Sequence, residues 1–361
     1  MSESKLQDTS TPNAAGRSLL NRWTKGPKAA RDRIHRGVVI PEWQPSFQIA
    51  PDAQVFAIGS CFARNIETEL LKLGVQVTSA DPKSEVMEIR TNLQLGLLNK
   101  YNPASIHQEL AWAADHTPFP EQGFVDSQGK YSDPYLRQQT PGGDLGQMQA
   151  RREALKQYFA QAFKADLVIV TLGLTETWYD RHTKLALTEV PSPRLLKDHP
   201  DRFGFKQLFF ADCITLLKSI CALLRTYGKP DLKMVFTLSP VALQRTFTGQ
   251  DVIVANLMSK STLRSAVGEL TAKMVGVDYF PSYEAVSLSD PLVAWQGDRR
   301  NVTEWIVASI MGEFTRRYGL RPPLDSEQVK AQERQILQTR LSMAQQSIAT
   351  LSHLLNPAEK P

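Results

Sequence analysis

The stretch Ala53-Gln54-Val55-Phe56-Ala57-Ile58-Gly59-Ser60-Cys61-Phe62-Ala63-Arg64-Asn65 decides how the rest of the chain is read. Ala53 to Ile58 is an apolar run of strand length, and Gly59 permits a sharp turn without a Cβ clash. Beyond the turn, Phe62, Ile66, Leu70 and Leu73 recur on one helical face that Gly74 ends. This is a βα unit, and it sets Ser60 at a helix N-terminus. Unpaired N–H groups and the helix dipole there favour negative charge, the field an oxyanion of acyl transfer needs. On spacing alone a plain N-cap is the stronger reading of Ser60, because serine is a preferred capping residue.

Working outward, Val75 to Val77 begins a second strand. Ala165 to Leu172 is a continuous apolar run, as a central parallel strand covered on both faces requires. Residues 150–164 show helical periodicity, and Phe210 to Tyr227 reads as a long helix leading to the strand Lys233 to Leu238. Asp278 to Phe280 is a last strand and Thr303 to Arg317 a closing helix. Repeated βα units predict an α/β fold, a doubly wound parallel sheet flanked by helices, with ligands at the carboxyl ends of the strands. Residues 1–35 read as a basic polar leader, disordered in part, and residues 36–320 as the folded domain. After Arg321-Pro322-Pro323, residues 325–355 form a C-terminal helical extension. Its Leu337, Leu341, Ala344, Ile348, Leu351 and Leu355 step by 4-3-4-3-4, the spacing of a coiled-coil seam. Packing on its own domain therefore competes with a homo-oligomeric coil.

Composition narrows the class. Hydrophobic content of 42% and charged content of 22% suit a globular chain with a full core. No apolar run approaches the ~18 residues of a membrane span, and Met1 to Asn13 is too polar for a secretory signal. A cytoplasmic protein is the expectation. Three cysteines without regular spacing argue against a disulfide framework or a zinc site, and Cys213 and Cys221 read as buried thiols in an apolar helix. The net charge of +5 gathers in Arg17, Arg22, Lys25, Lys28, Arg31, Arg33 and Arg36, against the single acid Asp32. Such a segment suits nucleic acid, anionic lipid or a phosphorylated ligand. No nucleic-acid-binding motif accompanies it, so a solvated leader is the plainer reading and nucleic acid is not expected as a partner. Neither a Walker A sequence nor Gly-x-Gly-x-x-Gly occurs, and no His/Asp/Glu cluster has ligand spacing; no cofactor and no metal are expected.

Gly59 to Ala63 spells GSCFA, the motif that names the GSCFA family, and the chain resembles that family over residues 36–320. Further family-like blocks are Asn99 to Pro103, Tyr131 to Pro134, Thr171 to Trp178, Leu238 to Val241, Ala255-Asn256 with Ser259-Lys260-Ser261, and Tyr279 to Glu284. The resemblance implies an SGNH-hydrolase-like fold and a serine-dependent ester hydrolase or O-acyltransferase, acting on a carbohydrate or other acylated small-molecule substrate. Ser60 then matches the nucleophile, behind the turn residue Gly59, with its own N–H as one oxyanion donor. The block around Asn102 corresponds to a second donor, and Gly173 with Thr175 falls where these enzymes carry Gly-x-Asn. Thr175 replaces that asparagine. Glu176 and Asp180 read as solvated loop acids, with polar lining of the site as the alternative.

The resemblance also exposes a departure. In Trp295 to Val302, Asp298 fits the orienting acid of a triad, while Asn301 stands where the histidine belongs. An amide has no titratable group near neutral pH, and loss of one triad member removes several orders of magnitude in rate. Of the six histidines, His107 lies nearest a family block and is the least poor substitute. His182 follows Trp178-Tyr179-Asp180, His116 and His199 sit in polar contexts, and His35 and His353 read as surface groups. Cys61 shares the helix start, but consecutive residues at such a turn point in different directions. The alternatives to an enzyme are a catalytically inactive SGNH-like domain that binds a glycan, and an interaction protein working through the leader and C-terminal helix.

Overall fold

A computed structural model describes residues 23–24, 29–80, 96–127, 129–320 and, farther on, 327, 331, 334, 338, 341, 342 and 345. In chain order the main elements run β1 (Gln54–Gly59), α1 (Cys61–Lys72), β2 (Gln76–Val77), α2 (Pro103–Ala113) and α3 (Leu145–Ala160). β3 (Leu167–Leu172), β4 (Glu176–Asp180), β5 (Leu185–Ala186), β6 (Phe203–Gln207) and α4 (Phe210–Tyr227) follow. β7 (Lys233–Leu238), α5 (Val252–Lys273), β8 (Val277–Phe280) and α6 (Glu304–Arg317) complete the set.

Five strands form one sheet in the order β8-β7-β3-β1-β2, and every pair is parallel. All six residues of β3 are buried, so both faces of the sheet are covered. Phe56, Ile58, Val168, Val170, Phe236 and Leu238 point to one face. There they pack with Ile106 and Leu110 of α2, Leu155 and Phe159 of α3, Leu217 and Leu224 of α4, and Leu263 and Val267 of α5. The chain is thus an α/β protein with a central parallel sheet flanked by helices. The register Gly59–Thr171–Thr237 brings the carboxyl ends of β1, β3 and β7 to one level.

Local chemistry sets the helix starts. Asn102 caps α2, its Oδ1 accepting from Ser105 N at 2.8 Å, with Pro103 in the first turn. Asp144 and Gln147 form a reciprocal capping box on α3, and Asp251 caps α5. The expected strand and helix at Lys233–Leu238 and Phe210–Tyr227 are present with those bounds. α5 was legible only as scattered family blocks.

Residues 176–207 correct one expectation. Antiparallel strands β5-β4-β6 form a second sheet there, so Glu176 and Asp180 are not solvated loop acids but 7% and 0% exposed. Glu176 accepts from Thr246 Oγ1 at 2.6 Å and Phe247 N at 2.9 Å. Asp180 pairs with Arg202 at 2.6 Å. A carboxylate survives burial when such donors replace its water.

Compactness groups the chain into two units. The larger, Gln44–Tyr283 with Val307–Pro323, holds the parallel sheet, the β5-β4-β6 sheet and a two-stranded hairpin at Val125–Ser132. The smaller comprises Met1–Trp43, Glu284–Ile306 and Leu324–Pro361. Within it Asp290 N donates to Gly37 O at 2.7 Å and Val39 N to Ser289 Oγ at 2.8 Å. Of the extension at 325–355, the described residues 327, 331, 334, 338, 341, 342 and 345 are helical and exposed; the rest of its seam lies outside the described residues.

Candidate active site

Gly59 leaves β1 at φ +145°, and a Cβ there would lie 2.1 Å from Thr171 O. Only glycine allows the two strands to close at this point. The turn delivers Ser60 to the head of α1, where its Oγ accepts from Phe62 N at 3.3 Å. Lys100 N donates to Gly59 O at 2.7 Å, which pins the Asn99–Asn102 loop alongside. A Cβ at Gly173 would lie 2.8 Å from Tyr101 O and 3.5 Å from the Ser60 Cβ. Gly59, Ser60, Asn102, Gly173 and Thr175 therefore come together at the carboxyl edge of the parallel sheet.

Their donors, however, are turned into the fold. Ser60 N donates to Thr171 O at 3.2 Å, and the N–H groups of Gly173 and Leu174 both donate to Tyr101 O at 3.0 Å. Asn102 Nδ2 donates to Leu187 O at 3.0 Å. Thr175 is fully buried, sharing a hydrogen bond with Ser259 Oγ at 2.9 Å and accepting one from Gln207 Nε2 at 2.5 Å. In this geometry the Ser60 N–H, the Asn102 amide and the Gly173 N–H, expected as oxyanion donors, hold the turn and its neighbouring loops together. Ser60 itself is 2% exposed.

What remains unpartnered is a different set. Thr171 Oγ1, Ser239 Oγ and Asn99 Oδ1 are buried with no hydrogen-bond partner among the described residues. Thr171 stands opposite Gly59 in the ladder, and Ser239 follows β7, donating its N–H to Leu172 O at 2.8 Å. Ser60 Oγ accepts its one bond and finds no acceptor for its proton among the described residues. Buried polar atoms without partners are uncommon and ask for a ligand or water. Their sequence signal was faint, since Thr171, Ser239 and Asn99 stood inside family blocks without any spacing to distinguish them.

Two buried lysines, also inside those blocks, support the cluster. Lys260 Nζ donates to Gly173 O at 2.7 Å and Val241 O at 3.0 Å. Lys100 Nζ meets Glu109 Oε2 at 2.5 Å, and Arg152 joins Glu109 at 3.0 Å and Asp133 at 2.6 Å. The Arg152 guanidinium also lies over the Phe119 ring at 4.6 Å and the Trp112 ring at 5.0 Å. Burial works to raise the Glu109 carboxyl, but Lys100 and Arg152 outweigh it and hold it below its ordinary value. Burial lowers the Lys100 ammonium, which Glu109 only partly offsets.

Asp298 and Asn301 belong to the smaller unit. Asp298 Oδ1 accepts from Asn301 N at 2.9 Å and Arg300 N at 3.0 Å, and its Oδ2 from Asn301 Nδ2 at 2.5 Å. The backbone N–H groups of Asn301 and Arg300 lower the Asp298 carboxyl. The acid thus holds the side chain three residues on, as an orienting aspartate would hold an imidazole, but what it holds is an amide.

No described histidine hydrogen-bonds Ser60. His116 Nδ1 contacts Tyr227 OH at 3.0 Å, and His199 Nε2 contacts Asp126 O at 2.8 Å. His107 is lowered by burial and by nearby His116. His182 is exposed, His35 lies in the smaller unit, and His353 falls outside the described residues. Cys61 forms no disulfide among the described residues, and burial pushes Cys213 and Cys221 up to about 12. Among the described residues no group of His, Cys, Asp and Glu could hold a metal ion, and no helix is long and apolar enough to cross a membrane.

A parallel α/β sheet with a serine at its first strand-to-helix turn defines the class. The model of the GSCFA family matches residues 54–314, well over half of the chain, and the protein belongs to that family. No curated protein matches it.

Proposed function

We propose that this chain is an SGNH-like member of its family whose serine centre binds a hydroxyl-rich ligand, a glycan or its acylated form, without hydrolysing it. One observation carries the reading: the Ser60 hydroxyl has no acceptor for its proton among the described residues, and the position expected to supply the base is Asn301. A serine whose proton has nowhere to go is a neutral, weak nucleophile. The unpartnered Thr171, Ser239 and Asn99 atoms support a ligand that both donates and accepts hydrogen bonds, as sugar hydroxyls do.

A second reading, a working ester hydrolase or O-acyltransferase, draws support from Ser60 standing at the head of α1 beside Gly173 on the ligand-binding edge of the sheet. Fluorophosphonate labelling and turnover of a p-nitrophenyl ester separate the two. The binding reading expects no labelling of Ser60 and no turnover above Ser60→Ala. Labelling and turnover in the unaltered chain would establish the second reading instead.

A further inference from the structure

β6 lies at one side of the small sheet, with β4 as its one strand neighbour among the described residues. Leu208 N donates to Thr175 O and Arg181 N to Arg202 O, so the hydrogen-bonded pairs between β4 and β6 are Thr177 with Lys206 and Tyr179 with Gly204. The N–H and C=O groups of Phe203, Phe205 and Gln207 therefore face outward, and none has a hydrogen-bond partner among the described residues. An open edge of this kind is a template for another strand. A lysine on an edge strand ordinarily keeps other strands off, but Lys206 Nζ is drawn aside to Asp212 at 2.8 Å.

The surface beside this edge is apolar. The Phe247 ring centroid lies 5.9 Å from that of Phe205 and 5.1 Å from that of Trp178, and Phe247 is itself exposed. Phe209 and Phe210 follow β6 directly and are also exposed. α4 and α5 pack side by side, and each leads into the amino end of the strand after it, so their first turns are neighbours. Val252, Ile253, Val254, Leu257 and Met258 of α5 extend the apolar surface past Phe210. These eight residues together expose roughly 700 Å², close to the ~800 Å² that each partner contributes to a stable interface.

We infer that β6 pairs antiparallel with β6 of a second copy of this chain about a two-fold axis, joining two three-stranded sheets into one. The edge is its own complement, because the axis sets each outward N–H against a C=O of the same strand in the other copy. From Phe203 to Asp212 the charged residues are Lys206 and Asp212, which cancel, so nothing along the edge selects a charged partner. Charge does fix the register. A pairing centred on Lys206 would put two lysines directly opposite, which is unfavourable. A pairing centred on Phe205 sets Lys206 against Gly204 of the second copy and brings the two Phe205 rings together, each with its own Trp178 and Phe247. The inference is independent of the proposed serine chemistry.

Sedimentation of the full-length chain over a dilution series tests it, together with amide hydrogen exchange across residues 203–207. The chain should be a dimer, and the outward amides of Phe203, Phe205 and Gln207 should lose protection as dilution returns it to monomer. Phe209→Asp with Phe247→Asp should raise the dimer dissociation constant at least ~30-fold, at an unchanged circular dichroism spectrum, and should unprotect the same amides. A chain that stays monomeric at every concentration would overturn the inference. So would a dimer that the double variant leaves intact, which would assign association to another surface, residues 325–355 first. Protection of residues 203, 205 and 207 that dilution leaves unchanged would overturn it too, by showing the edge closed within one chain.

Discussion

A missing methyl group at Gly59 lets β1 and β3 close and Ser60 stand where it does. With φ at +145° and a Cβ placed 2.1 Å from Thr171 O, any side chain must push the strands apart or twist the turn. Gly59→Ala should therefore destabilise the fold by about 3 kcal/mol, read as a lower urea midpoint. An unchanged midpoint would mean that the turn relaxes freely and that Gly59 does not position Ser60. The presence of the turn was legible from residues 53–65 alone. Whether Ser60 caps a helix or attacks a carbonyl was not, because serine serves both purposes with the same local pattern.

Among elements, the Asn99–Asn102 loop, α2 and α3 are joined by one buried charge cluster. Lys100, Glu109, Arg152 and Asp133 are each less than a tenth exposed. Removing one partner leaves the others charged in a poor solvent. Lys100→Met should cost about 3–5 kcal/mol, measured by urea denaturation, and should loosen the loop that presses on Gly59. A cost near zero would show that Arg152 alone satisfies Glu109. The helices and parallel strands were readable as periodic or continuous apolar runs, since burial on one or two faces imposes those patterns directly. The small sheet β5-β4-β6 was not. Its strands are short and carry Glu176 and Asp180, which look like loop acids until Thr246, Phe247 and Arg202, 22 to 71 residues away in sequence, are seen to satisfy them.

For the whole molecule, Glu109 acts with Asp166, Asp212, Glu269 and Asp298, all held low in the fold, to set the sign of the acid response. It stays ionised in the folded chain below about 4.5, the ordinary glutamate value. The unfolded chain therefore binds more protons in that window, and stability present above 4.5 is lost as the pH falls through the lower folded value. Glu67 acts oppositely: burial raises it in spite of Arg64 and Ser79, so its contribution grows as the pH falls. Urea midpoints should decline below pH ~4.5, and Glu67→Gln should make the decline steeper. A profile that is flat or rising toward acid in Glu67→Gln would show that the carboxyls held low, Glu109 among them, do not govern the acid response.

The sequence by itself determined the βα order, the strand-to-helix turn at Ser60 and the asparagine three residues after Asp298. Each is a local pattern or an identity at one position, and needs no distant partner to be seen. Only the tertiary structure decided which donors are still open. The N–H groups of Ser60 and Gly173 and the amide of Asn102 are taken by carbonyls of Thr171, Tyr101 and Leu187, while the hydroxyls of Thr171 and Ser239 are left without partners among the described residues. A hydrogen bond joins groups brought together by the fold, so its presence or absence is not written in either residue alone.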